Sequence, residues 1–242
     1  MIDFSKNNSN VETSGIQTKD AVSTFLANVF TYMGGALAST GLLAYWFGST
    51  PSLMTYLINP MGGATLLGYV VMFSPLAFVL VMSFAFNKLS SFALLGLFVV
   101  YAAVMGLSMS FIFLAYTTST IASTFFITAA TFGVMAVLGY TTKQDLTKFG
   151  SILFMALIGI IIASIVNMFL SNGMLDIIIS CVGVLVFTGL TAYDVQKLKR
   201  IGAGVEYGSE SSNKLAIMGA LNLYLDFVNL FMMLLRLFGD RR

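Results

Sequence analysis

Seven apolar runs, each about 20 residues or longer, decide what this chain can become. They cover residues 24–47, 64–86, 91–114, 119–140, 150–170, 174–195 and 215–238. A hydrocarbon layer offers the backbone no water, so each run must satisfy its own N–H and C=O groups as a helix. Composition agrees. The 242 residues are 58% hydrophobic and 9% charged, with mean hydropathy +0.92, where a soluble domain carries roughly 25% charged residues. The expectation is an all-α integral membrane protein, a single seven-transmembrane-helix bundle over 24–238. A polar cytoplasmic tail, 1–23, precedes it and a short basic tail, 239–242, follows. The leading tail lacks a short apolar core with a cleavage site, so it does not read as a signal peptide, and the first run serves for insertion.

The missing histidine removes zinc-hydrolase, haem and Ser-His-Asp readings together. Cys181 is the lone cysteine, lies within the sixth run and is read as buried packing. The bilayer is the expected environment, and no nucleic-acid partner is expected.

Orientation follows from lysine and arginine. Lys6, Lys19, Lys88, Lys143, Lys148, Lys197, Lys199, Arg200 and Lys214 all fall on the amino-terminal side of the membrane, and the opposite loops carry neither type. This predicts a cytoplasmic amino terminus. Arg236, Arg241 and Arg242 sit outside if the last run crosses completely, and inside if it dips in and returns. A carboxylate within that run argues for the dip; its length of about 24 residues argues for a crossing, and seven spans is the expectation.

Ala102, Gly106 and Ser110, Gly159 and Ala163, and Gly34 and Ala38 form rows of small residues of the kind found where membrane helices approach closely. Pro75 is expected to kink the second span, while Tyr45 and Trp46 fit an interfacial anchor. Residues 201–213, rich in Gly and Ser, read as a mobile loop.

Two carboxylates lie deep within apolar sequence, Asp194 and Asp226. Asp226 is about 17 Å in from Leu215 by helical rise, near the centre of the hydrocarbon. An acid there costs on the order of 3 kcal/mol and marks a functional site by default. Asn222, Asp226 and Asn229 share one face of the last helix, which should turn toward the bundle interior and make that helix the central one. Thr191 precedes Asp194 by three residues, with Thr188 a turn earlier. Allowing about thirteen residues for the loop leaves roughly nine helical residues on each side, so antiparallel neighbours bring both acids to similar depth. Two carboxylates in low dielectric cannot easily both ionise, so one proton is shared and the pair titrates in coupled steps. Paired oxygens also suit calcium, with Asn222, Asn229 and Tyr224 as supplements. The plainer reading is a polar clasp that orients two helices. Tyr193-Asp194 also matches half the pattern of an intramembrane aspartyl protease, but Leu225-Asp226 replaces that class's Gly-Asp, and its Pro-Ala-Leu is missing.

Thr191-Ala192-Tyr193-Asp194-Val195-Gln196-Lys197, Leu223-Tyr224-Leu225-Asp226-Phe227-Val228-Asn229-Leu230-Phe231 and Gly139-Tyr140-Thr141-Thr142-Lys143 resemble the Bax inhibitor-1 (transmembrane BAX inhibitor motif) family, in its bacterial inner-membrane branch. The resemblance implies a non-enzymatic seven-helix bundle with a central last helix. It further implies a pH-sensitive calcium leak gated by Asp194 and Asp226. Some members carry a charged latch in the second span; residues 64–86 have no charge. A bacterial relative that restrains a membrane-bound ATP-dependent protease gives a second reading, a modulator acting through the tail 1–23 and the cytoplasmic loops.

Overall fold

The computed structural model describes residues 4–59, 61–206 and 208–240, with side chains from Asp20 onward. The sequence positions assigned to the side chains of Lys6 and Lys19, and to Arg241 and Arg242, lie outside the described residues, as does any protease contact through the side chains before Asp20.

Among the described residues nine helices follow one another: α1 (Phe4–Gly48), α2 (Pro51–Met54), α3 (Leu66–Ala85), α4 (Ser91–Met109), α5 (Ile112–Ala115), α6 (Thr118–Thr141), α7 (Thr147–Leu170), α8 (Gly173–Gly204) and α9 (Glu210–Phe238). Seven stretches of the described residues are long and apolar enough to cross a membrane, beginning with Asp20–Gly48 in α1 and ending with Glu210–Phe238. The protein is an integral membrane helical bundle, as the apolar runs require. Small polar side chains start the helices. Thr65, Ser90, Thr117 and Ser209 each accept a backbone N–H of the following first turn, and Asn172 accepts two. Pro75 lies inside α3, which continues through it.

The last helix is the axis of the bundle. In its most apolar window 72% of residues are buried, against 11–33% in the other six spans. It packs on α1, α4, α6 and α8. Leu221, Leu223, Leu230 and Leu235 are essentially inaccessible, while Phe73, Phe154 and Leu185 on outer helices stand exposed where lipid would cover them. α9 is unbroken over 29 residues, about 43 Å by helical rise. Arg236 near its far end meets Asp176 of the first turn of α8 at 3.7 Å. The helix therefore runs from one end of the bundle to the other, and the dip-and-return alternative does not hold.

Three expectations are corrected. The presumed loop 201–213 is mostly helix: α8 runs to Gly204 and α9 starts at Glu210. Solvated side chains do not stop a helix that has somewhere to pack, and Gly202 is buried against Phe25 of α1. Cys181 is exposed, on the outer surface of α8. Of the small-residue rows only the first marks a close approach. A Cβ on Gly106 would come within 2.7 Å of Thr40 O, whereas Gly34 and Gly159 have open space beside them. Another close approach lies where Gly139 of α6 abuts the Ala192 backbone of α8.

Candidate functional site

Asp194 stands ten residues before the end of α8 and Asp226 sixteen after the start of α9. These offsets are about 15 and 24 Å by helical rise, so the start of α9 projects beyond the end of α8, and residues 205–209 join them. The two carboxyl groups come within hydrogen-bonding reach of each other. Asp226 is 6% exposed. Its Oδ2 is buried and receives no N–H or O–H donor among the described residues. The neighbour at hand is another acid, so the contact closes as a hydrogen bond only when one of the two carries a proton.

The acids face a cavity of about 640 Å³ in the wedge between α7, α8 and α9. Gly150, Ser151 and Phe154 of α7 form one wall, Tyr193, Asp194 and Lys197 of α8 a second, and Asn222, Asp226 and Asn229 of α9 the third. The α9 stripe thus faces the cavity as a unit, and Asn222 and Asn229 lie beside the acids as their spacing predicts. Tyr224 is not brought to this group, since its hydroxyl meets Thr40 of α1, and neither is Thr191. It is wholly buried and its hydroxyl donates to Phe187 O one turn back, at 2.8 Å, a common fate of a mid-helix threonine. Thr188 Oγ1 is buried without a partner among the described residues.

By sequence Lys197 serves only to mark the amino-terminal side of the membrane. It lines the cavity, and its ammonium is near enough to act electrostatically on Asp194. The signal was the i, i+3 spacing from Asp194, which puts both on one helix face. A second cavity of about 210 Å³ shares Asp194, Lys197 and Asn222 and continues past Ile201 and Leu215 toward the α8–α9 connection.

A polar clasp lies at that same lysine-rich end. The side chain of Gln196 accepts the Leu146 N–H at 2.9 Å and donates to Gln144 O at 2.7 Å. Arg200 donates to Asp145 at 2.7 Å and to Thr147 at 3.0 Å, and also bonds Gln196. Lys199 reaches Tyr140 O at 2.7 Å, with its ammonium over the Tyr140 ring. Together they pin the α6–α7 connection to α8. The hydroxyl and backbone N–H of Thr147, then Arg200, hold the Asp145 carboxyl down at about 2.

A central helix carrying a half-sheltered acid pair, walled by two neighbours and open along one wedge, defines a multi-pass membrane protein with an intramembrane acid site. The family model described as inhibitor of apoptosis-promoting Bax1 matches residues 22–242, and the chain belongs to the Bax inhibitor-1 family. It is 44% identical to the inner membrane protein YbhL of Escherichia coli over 228 residues, 94% of this chain and 96% of that one. It is 43% identical to an uncharacterised Borreliella burgdorferi protein, covering 90% of this chain and 92% of that one, and 40% identical to a Rickettsia prowazekii protein along the whole of both.

Proposed function

We propose that this protein is a pH-sensitive calcium leak of the bacterial inner membrane, with Asp194 and Asp226 as the gating pair and the amino terminus in the cytoplasm. One observation carries the reading: two acids from adjacent spans within hydrogen-bonding reach of each other, the deeper with a buried oxygen that lacks any ordinary donor. With a proton between them the pair is a hydrogen bond that holds α8 against α9. Without it, two like charges face each other in low dielectric and either separate or take up a cation.

Calcium suits this exchange. It accepts carboxylate, amide and water oxygens in irregular number, and Asn222 and Asn229 add amide oxygens on the same wall. Among the described residues no group of three or more His, Cys, Asp or Glu side chains gathers around one point. Two carboxylates and water fit an ion in passage better than a resident metal. The family's membership, the lysine placement and the name of the Escherichia coli relative support the inner-membrane assignment. An aspartyl-protease dyad is the weaker use of these acids, because Leu225 stands where that class needs glycine.

The test is calcium flux into sealed proteoliposomes across pH 5–8 for the wild type and Asp226→Asn. The expected result is a pH-dependent flux that falls to the level of empty vesicles in the variant. Coincident wild-type and variant fluxes at every pH would remove the channel reading.

A further inference from the structure

Lys197 is a charged residue common to three spaces around the inner part of the wedge. It lines the 640 Å³ cavity, the 210 Å³ space beside it, and a third of about 270 Å³ bounded by Thr147, Tyr193 and Arg200. The other cations nearby are committed: Lys199 to Tyr140 O, Arg200 to Asp145, Lys214 to Glu210. Among the described residues no hydrogen bond or salt bridge fixes the Lys197 ammonium, and its side chain is exposed. It sits one helical turn from Asp194, on the same face and within electrostatic reach. Four flexible carbons thus carry a point charge along a wall that all three spaces share.

Charge balance gives that position a consequence. The groups that line the cavity with the acids are Tyr193 and Lys197 on α8, Asn222 and Asn229 on α9, and Gly150, Ser151 and Phe154 on α7. With one shared proton, the pair and the ammonium sum to zero. With the proton gone they sum to one negative charge. A divalent ion that replaces the ammonium compensates both carboxylates, whereas a monovalent ion does no better than the ammonium already tethered there.

The geometry points to Lys197 as a tethered counter-cation that selects divalent over monovalent ions at the lysine-rich mouth of the acid pair. This inference rests on the pair being a cation path, and its test separates the two. Calcium and potassium leaks are measured in proteoliposomes carrying the wild type, Lys197→Met, Lys197→Arg and, as an equal charge change on an exposed residue of α7, Lys148→Met.

Removing the ammonium should raise the potassium leak and lower the calcium-to-potassium ratio on the order of tenfold, the scale of one unit charge across partly hydrated space. Lys197→Arg and Lys148→Met should keep the wild-type ratio. An unchanged ratio in Lys197→Met overturns the inference while leaving the acid pair intact, and so does an equal fall in Lys148→Met. A wild type with no Asp226-dependent calcium flux overturns both. Where Lys197→Met does not give a monodisperse protein, Lys197→Gln carries the same comparison.

Discussion

The two faces of α9 hold polar groups at nearly the same depth and treat them in opposite ways. Tyr224 and Asp226 are two residues apart, about 3 Å along the axis. On the α1–α4 side, Thr40 Oγ1 donates to Ala102 O at 2.8 Å, which leaves Tyr224 OH as the donor across its 2.7 Å contact with Thr40. Tyr101 and Phe98 pack edge-on against the Tyr224 ring at 5.4 and 6.0 Å. On the α7–α8 side, Asp226 faces another acid and a 640 Å³ cavity, with one oxygen lacking any ordinary donor. A neutral hydroxyl can be satisfied inside dry packing, so that face holds the bundle together. An acid matched only by an acid needs a proton or a cation, and the open wedge is where either could reach it.

Asp226→Asn breaks the comparison most sharply. It should abolish the pH-dependent calcium flux while the bundle keeps its thermal stability in detergent, since an amide can hydrogen-bond Asp194 without sharing a proton. Gly106→Val should do the reverse. Its side chain would press into the Thr40 backbone and loosen α1 from α4 at a cost of about 1–3 kcal/mol, read as a lower unfolding temperature with the pH response retained.

Tyr224→Phe removes one hydrogen bond on the packed face and should cost about 1 kcal/mol, again with flux preserved. A loss of pH dependence in that variant would erase the distinction between the two faces.

The smallest effect concerns the clasp. The folded value of Asp145, about 2, is below that of an unstructured aspartate. Its contribution is therefore complete above the unfolded value near 4 and fades only as pH falls toward about 2. Protection of the amides in residues 142–147, taken relative to their intrinsic exchange rate at each pH, should not change between pH 7 and 5. A change there would make the clasp a competing sensor.

Much of this contrast was legible in the sequence because hydropathy and helical period are local properties. The seven spans, the central last helix and the shared face of Asn222, Asp226 and Asn229 all follow from them. Contacts depending on which neighbour a face meets were not. Thr191 shares a helix face with Asp194, yet its hydroxyl is spent on Phe187 O, a bond available to any mid-helix threonine. Gly159 and Gly34 look like packing residues, but small side chains fit equally well beside open space. Gln196 and Arg200, one turn apart, reach a loop some fifty residues upstream, and spacing alone does not name a partner so distant. Lys197 was hidden by sufficiency: a lysine near the end of a span is already explained by topology.

The central claim is that Asp194 and Asp226 share a proton which a divalent ion can replace. Infrared difference spectroscopy of the reconstituted protein tests it most directly, through the carbonyl stretch of a protonated carboxyl group. The expected result is one such band at acidic pH, lost on raising the pH or adding calcium, and absent from the Asp194→Asn, Asp226→Asn double variant. A spectrum in which both acids stay ionised throughout, or a band indifferent to calcium, would contradict the account.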